Sequence, residues 1–257
     1  MKSRFYILLF LAMLFYGIDA TAQFDTEYID TTEFKVLYQR NKTYGVELNN
    51  LGLGIQYRTG KRISYFSTRM WEFDFSYLRS FKQYKIQKPY QGARRYVYGK
   101  KNDVFFLRGG IIKKQLLNRK PYWGGVEVRF MYGGGISLGL AKPYYLYVIY
   151  QVGNTQTYET VTKIYNEDPA QRDWLDEFGR APFSKGLGEI SLHPGVYGKI
   201  GLSFEFGTDP TKMKVVEVGL LVDALPYGVS VMAYNPNSIV FPQLFLSFSL
   251  GKRFNKY

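Results

Sequence analysis

The stretch Gly125-Val-Glu-Val-Arg-Phe-Met-Tyr-Gly-Gly-Gly-Ile-Ser-Leu-Gly-Leu140 decides the fold. Taken two residues at a time, it separates into an apolar face and a face of polar or very small side chains. The apolar face carries Val126, Val128, Phe130, Tyr132, Gly134, Ile136, Leu138 and Leu140, and the other carries Gly125, Glu127, Arg129, Met131, Gly133, Gly135, Ser137 and Gly139. Because a β-strand sends successive side chains to opposite sides, the pattern predicts one long strand with two unlike faces. Strands of soluble sheets usually have about 5–6 residues, so the length and the small face favour a transmembrane β-barrel with lipid outside and a narrow lumen inside.

The N-terminus has the features of a secretory signal peptide. Lys2 and Arg4 precede an apolar run at Phe5–Tyr16, and Ala20-Thr-Ala22 offers a small-residue cleavage site. The apolar run is shorter than the roughly 20 residues that span a bilayer as a helix, and we find no second run of that length. The predicted division is a signal peptide over 1–22, a periplasmic lead-in over 23–42 and an outer-membrane barrel over 43–257, with a large outer loop at 142–194.

Composition and charge narrow the class of protein further. The chain has 24 Tyr, 20 Phe and 26 Gly, which aromatic girdles and a crowded lumen would explain, although a secreted β-sandwich would also be rich in Tyr and Gly. It has no Cys, so the exported fold cannot depend on disulfides. A net charge of +13 would suggest nucleic acid for a cytoplasmic protein. Export excludes that partner and leaves lipopolysaccharide, anionic lipid headgroups or an acidic protein.

Seven further segments repeat the split between an apolar and a polar face, which makes eight strands in all. The predicted strands are Tyr44–Leu48, Leu51–Tyr57, Trp71–Leu78, Val104–Gln115, Gly125–Leu140, Val196–Phe206, Val215–Ala224 and Gln243–Phe254. The connectors after the third, fifth and seventh strands are long, as expected for outer loops, and those after the fourth and sixth are short. Pairing of Tyr144–Val152 with Thr155–Tyr165 would give ten barrel strands, but we expect that pair to form a hairpin above the membrane.

The end of the chain matches the C-terminal strand that the outer-membrane assembly machinery reads, with Phe248, Phe254 and Tyr257 as its signal residues. Together with the signal peptide and the polar-in strands, it resembles small outer-membrane barrels of the OmpA/OmpX type. The leader ending Thr-Ala-Gln23 and two later pieces are similar to a Bacteroidota family of outer-membrane proteins of unassigned function. The two pieces are Gly198–Phe206 and Leu246–Arg253. The resemblance implies the fold and a location in a Gram-negative outer membrane, and it carries over no activity.

Charged residues on the polar faces would point into the lumen. The predicted lumen charges are Glu47, Glu72, Asp74, Glu127, Glu205, Glu217 and Asp223 against Arg108, Arg129 and Lys199. An eight-stranded barrel is just wide enough for side chains to fill it, and an unpaired buried charge costs several kcal/mol. We therefore expect these residues to pair into a plug of salt bridges that closes the lumen, with a proton or ion path as the alternative.

A basic stretch interleaved with tyrosines lies in the first long loop. Its cations are Lys82, Lys85, Lys88, Arg94, Arg95, Lys100 and Lys101. On an outer loop the fitting partner is the sugar phosphate of lipopolysaccharide, and ordinary solvated loop charge is the alternative interpretation.

The remaining motifs predict no catalytic or metal site. The one His, His193, has Ser191 and Glu189 nearby in sequence, but alternation on an extended segment does not by itself build a nucleophile, base and orienting group. The acidic stretch Glu167–Glu177 lacks the spacing of a calcium loop and is expected to form a short amphipathic helix over the mouth. We find no zinc spacing or phosphate loop, and we expect no cofactor.

The sequence thus predicts a non-enzymatic outer-membrane barrel that acts as a structural or accessory subunit of a larger complex for secretion, insertion or uptake. The alternatives are a narrow channel, a surface adhesin and an enzyme that modifies lipid A.

Overall fold

The computed structural model describes residues 38–80, 83–118, 125–151, 157–165, 176–207, 211–233 and 237–255. The strands are β1 (Arg40–Asn49), β2 (Gly52–Arg62), β3 (Ser67–Leu78), β4 (Lys85–Ile86), β5 (Tyr96–Val97), β6 (Asn102–Asn118), β7 (Glu127–Pro143), β8 (Tyr145–Gln151), β9 (Tyr158–Ile164), β10 (Asp176–Arg180), β11 (Ser191–Phe206), β12 (Lys212–Val229) and β13 (Ser238–Phe254). A short 3₁₀ turn occupies Leu187–Glu189. In the described ranges, no helix is long and apolar enough to cross a membrane.

Eight of these strands close into a barrel in the order β1-β13-β12-β11-β7-β6-β3-β2. Every neighbouring pair is antiparallel, and β1 bonds both β2 and β13, so the ring has no free edge. The prediction of eight antiparallel strands is confirmed. The ten-strand alternative is wrong, because β8 pairs with β9 and β10 in a separate sheet.

The two faces of the barrel wall follow the alternation of the sequence. Outward side chains are apolar and exposed, such as Tyr44 at 62%, Trp71 at 55% and Ile136 at 73%. Inward side chains are buried, including Met131 and Ser137 of the stretch quoted above. An exposed apolar band around a closed wall suits lipid, because soluble proteins rarely expose a contiguous apolar surface of this extent.

The barrel strands extend beyond their predicted ends. β2 continues to Arg62 and β3 begins at Ser67, so the connector expected between Tyr57 and Trp71 shrinks to residues 63–66. β1 begins at Arg40, inside the range predicted for the lead-in. The backbone pairing continues because charged residues such as Lys61 keep the alternation, although they end the apolar run. The predicted signal peptide and residues 23–37 lie outside the described residues.

The two ends of the barrel differ. We call the end that holds Arg40 and Phe254 the terminal rim, and the opposite end, where the long connectors begin, the loop end. At the loop end, β8 and β9 form the predicted hairpin, and β10 joins the other side of β8. β4 pairs with β5 in a second small sheet. We refer to the described residues 83–101, 144–151, 157–165 and 176–190 together as the cap.

The cap is packed onto the barrel by an apolar core. Buried cap residues are Tyr96, Val97, Tyr144, Leu146, Val148 and Tyr165, and their buried barrel partners in the same cluster include Val104, Phe106, Leu225 and Phe241. The ring of Phe106 lies edge-on to that of Phe241, with 5.5 Å between centroids. The predicted helix at Glu167–Glu177 falls largely outside the described residues, and its last two acids, Asp176 and Glu177, begin β10 instead.

Candidate functional site

The middle of the lumen is filled by a cluster around Arg58, which β2 directs inward. Its guanidinium binds Glu72 of β3, donates to Glu217 Oε2 of β12 at 2.5 Å and donates to Gln56 Oε1 at 2.8 Å. Lys114 of β6 donates to the other oxygen of Glu217, also at 2.5 Å. Arg58, Glu72 and Glu217 are at most 1% exposed. Since β2, β3, β6 and β12 all contribute, the cluster bridges the lumen from wall to wall.

A second cluster lies around Arg108 of β6. Its guanidinium grips Asp223 of β12 with two hydrogen bonds of 2.8 and 2.9 Å. It also donates to Asp74 Oδ1 at 2.6 Å and to Ser76 Oγ at 2.8 Å. Gln243 donates to Asp223 Oδ2 at 2.9 Å, so both oxygens of that carboxylate are bonded. This bidentate interaction between Arg108 and Asp223 fixes the plane of the guanidinium and rigidifies this level of the lumen.

Lys199 of β11 adds a third group of contacts. Its ammonium donates to Glu47 Oε2 at 2.6 Å, lies 3.7 Å from Glu72 Oε1 and stands 4.4 Å from the ring centre of Phe245. Tyr197 donates to the same oxygen of Glu72 at 3.4 Å. Through Glu72, this group contacts the Arg58 cluster. Together the three groups fill the lumen, and we call them the plug.

The structure brings together seven of the ten predicted lumen residues in the plug. These are Glu47, Glu72, Asp74, Arg108, Lys199, Glu217 and Asp223. The other three lie toward the terminal rim, where Glu127 binds Arg129 and Glu205 accepts from Arg253 at 2.6 Å. The prediction omitted Arg58 and Lys114, two of the central cations. Continuing the alternation beyond Tyr57 and Ile112 would have found both.

A pocket opens below the plug at the terminal rim. Its lining includes Arg62, Thr68, Lys114, Arg129 and Glu205. Lys114 also belongs to the plug, so this pocket ends where the plug begins.

The junction between cap and barrel carries a charged group of its own. Lys100 is buried and its ammonium lies 2.5 Å from Asp103 Oδ1 and 2.8 Å from Tyr77 Oη. Arg180 of β10 reaches Asp103 Oδ2 at 3.4 Å. Burial lowers the pKa of Lys100, although Asp103 opposes the shift. Lys100, predicted as a lipopolysaccharide contact, therefore lies in a buried ion pair that ties the cap to the barrel.

The other predicted lipopolysaccharide contacts are spread over the cap. Lys85, Arg94 and Arg95 are exposed, Lys101 is half-buried and Lys82 lies outside the described residues. Lys88 pairs with Asp176 at 2.8 Å, and Tyr90 donates to the same carboxylate at 2.7 Å. Partial burial acts to raise the pKa of Asp176, but the hydrogen bonds from Lys88 and Tyr90 outweigh it, so this pKa is lowered.

His193 lies at the loop end, where β11 begins. Its Nε2 is 3.1 Å from Ser191 Oγ. Glu189 instead accepts a hydrogen bond from Tyr145 at 2.7 Å. Within the described ranges no carboxylate is bonded to His193, so the pair lacks the orienting group of a catalytic relay. The same ranges contain no group of three or more His, Cys, Asp or Glu side chains placed to hold a metal ion.

The aromatic C-terminal strand is β13, which pairs with β1 and β12 in the barrel wall. Phe248 points outward and is 48% exposed. The ring of Phe254 lies beneath Lys42, whose ammonium is 5.6 Å from the ring centre. Tyr257 lies outside the described residues.

An apolar exterior, a closed ring of eight strands and a filled polar lumen define a small transmembrane β-barrel of the outer-membrane type. No family model and no curated protein matches the chain. Among solved structures, Neisserial surface protein A aligns at a TM-score of 0.36 with 12% identity, covering 84% of this chain and 95% of that one. The attachment invasion locus protein Ail of Yersinia pestis aligns at a TM-score of 0.36 with 8% identity, covering 84% of this chain and 97% of that one. TM-scores this low carry no information about function.

Proposed function

We propose that this protein is a non-enzymatic outer-membrane barrel that anchors a rigid cap and serves as a structural or accessory subunit of a larger outer-membrane complex. The observation that carries the proposal is the plug, which fills the lumen with paired charges. Because buried, ion-paired side chains occupy the lumen at the plug, the surfaces left for a function are the cap and the outer wall. Export through the signal peptide and assembly through the aromatic C-terminal strand belong to the same proposal.

The plug argues against a channel. Arg58 and Arg108 are 1% exposed, and each bridges carboxylates from different strands. Ion conduction needs mobile water and sites that an ion can leave. Side chains held by two or more charge-assisted hydrogen bonds provide neither.

We expect the purified full chain to give no stable ohmic steps in planar lipid bilayers. A porin inserted from the same detergent serves as the positive control for the recordings. Reproducible unitary conductance from the wild-type chain would contradict a closed lumen and would favour the narrow channel.

The cap is the surface that fits a partner protein, because its core is packed while its tyrosines remain exposed. Tyr84 and Tyr158 are 58% and 59% exposed. Photo-crosslinking residues placed at these two positions are expected to capture a defined outer-membrane protein in native membranes. The control position is Ile136 in the exposed apolar band. Adducts at Ile136 alone would indicate that the partner contacts the barrel wall and not the cap. The absence of adducts at all three positions would contradict the accessory role. Capture of host or matrix molecules in place of membrane proteins would favour an adhesin.

Lipopolysaccharide is the proposed lipid partner of the cap. The triple variant Lys85→Gln, Arg94→Gln, Arg95→Gln removes three exposed cations, and we expect it to retain less lipopolysaccharide during purification. The control removes the same charge at the terminal rim, with Lys61→Gln, Arg69→Gln and Lys252→Gln. Equal retention by the two variants and the wild type would count against cap contacts with lipopolysaccharide.

A further inference from the structure

The outside of the terminal rim carries an unusual concentration of cations. Lysines and arginines occupy outward positions just beyond the apolar band, next to Tyr44, Trp71 and Leu250. We call this set the cation arc: Arg40, Lys42, Lys61, Arg69, Lys113, Lys212, Lys214 and Lys252. Lys113 is half-buried and the others are exposed.

The strand register sets these like charges directly against one another. Lys61 of β2 faces Arg40 of β1 on one side and Arg69 of β3 on the other, and Arg69 in turn faces Lys113 of β6. Like charges directly opposite each other in an antiparallel pair are destabilising.

A second row lies beside the first and repeats the arrangement. Lys252 of β13 faces Lys42 of β1 on one side and Lys212 of β12 on the other. The barrel therefore maintains two adjoining rows of mutual repulsion on its outer surface.

For five members of the arc, the described part of the chain supplies no counter-charge. No described carboxylate forms an ion pair with Arg40, Lys61, Arg69, Lys113 or Lys252. Among the described residues, the acids nearest this rim are in the lumen, where Glu127 binds Arg129 and Glu205 binds Arg253. The counter-charge must come from outside these residues.

The arc is also one-sided. Among the described residues, it runs over six neighbouring strands, β12-β13-β1-β2-β3-β6, and stops at β7 and β11. There the outward residues near the rim are apolar: Val128, Phe130, Phe204 and Phe206. The charge thus follows one continuous sector of the wall.

We propose that the cation arc binds the headgroup phosphates of anionic phospholipids in the leaflet at the terminal rim. This inference rests on the proposed location in a membrane. The cations lie on the lipid-facing side of the wall, where the apolar band ends, and long basic side chains there extend toward headgroup phosphates. An acidic protein docking at the open mouth would meet the pocket inside the rim, whereas the arc wraps the outside. A row of phosphates is the counter-charge that relieves the repulsion within each row of cations.

The test compares spin-labelled phosphatidylglycerol with spin-labelled phosphatidylcholine around the full chain in vesicles, using electron paramagnetic resonance. The wild type is expected to select phosphatidylglycerol, and added salt should weaken the selectivity. The arc variant Lys61→Gln, Arg69→Gln, Lys252→Gln is expected to lose most of that preference. The matched control, Lys85→Gln, Arg94→Gln, Lys185→Gln, removes the same charge from exposed cap positions and should keep it.

The outcomes separate the arc from the membrane location on which it rests. Motionally restricted lipid without any preference for phosphatidylglycerol would overturn the arc and leave the membrane barrel intact. Equal losses in the two triple variants would overturn it as well, because net charge would then explain the preference. Absence of restricted lipid would overturn the membrane location itself. Unfolding in vesicles of phosphatidylcholine alone checks the fold, and there the arc variant is expected to be at least as stable as the wild type, since neutralisation removes repulsion.

Discussion

Replacing Arg58 by Met is expected to lower the free energy of unfolding by about 3–5 kcal/mol, or to prevent the barrel from assembling. The substitution keeps an apolar stem but removes the guanidinium that joins Glu72 to Glu217. Both carboxylates are fully buried, so neither can recover its lost hydrogen bonds from water. Lys114 and Lys199 remain close by, but the cluster is left with one negative charge in excess.

The measurement is denaturant unfolding in detergent, followed by tryptophan fluorescence. A rescue variant, Arg58→Met with Glu72→Gln, restores the charge balance and is expected to recover more than half of the loss. Arg69→Met is the matched control, because it removes an exposed outward Arg from the neighbouring strand and should cost little. A loss below about 1 kcal/mol for Arg58→Met would contradict a central role of the ion pairs, and so would equal losses at the two arginines.

The strands of the barrel could be predicted because their side chains alternate between lipid and lumen. Lipid requires apolar side chains on one face, so every strand shows a period of two in its sequence. β7 shows this most clearly, since Ile136 is exposed while its neighbour Ser137 is buried, as the sequence alternation requires. The strand ends could not be predicted as well. Lys61 and Arg69 continue the pairing between β2 and β3 but do not look like barrel wall, so the apolar pattern stops before the hydrogen bonds do.

The sequence predicted which residues belong to the plug better than it predicted the ion pairs that they form. Inward acids such as Glu217 stand out because a charge amid an apolar strand must face the lumen. Which cation each acid meets depends on how far the strands are staggered around the ring. Arg108 and Asp223 come from β6 and β12, which are not neighbours in the barrel, so alternation along either strand alone cannot pair them.

The β8–β9 hairpin of the cap was predicted, but the rest of the cap was not, for a different reason. Most of its residues are covered by tertiary packing that local alternation does not reveal. Lys100 and Lys101 are adjacent in a basic run, yet Lys100 is buried against Asp103 and Lys101 is not fully covered. A run of cations in a loop therefore predicts a charged surface only on average, and individual members can have structural roles.

Gly110→Ala and Gly198→Ala are expected to differ sharply in their effects on stability, although each adds one methyl group to a barrel strand. Gly110 points into the lumen, opposite Gly135 on β7 and Glu72 on β3. A Cβ at Gly110 would lie 2.6 Å from Tyr197 Oη and would also collide with the backbone carbonyl of Gly134. A Cβ at Gly198, on the lipid side, would have no neighbour within 4 Å.

Small residues in the lumen thus provide the space that the plug fills, and Gly110 keeps Tyr197 within reach of Glu72. Gly110→Ala should lower stability by about 2–3 kcal/mol through overpacking, while Gly198→Ala should remain within about 0.5 kcal/mol of the wild type. The folded fraction on gels of unheated samples and the denaturant midpoint measure both effects. Adding Tyr197→Phe to Gly110→Ala removes the oxygen that collides and is expected to recover part of the loss. If Gly110→Ala were as stable as Gly198→Ala, the lumen would have to be packed more loosely than a plug of buried ion pairs allows. That result would contradict a closed lumen.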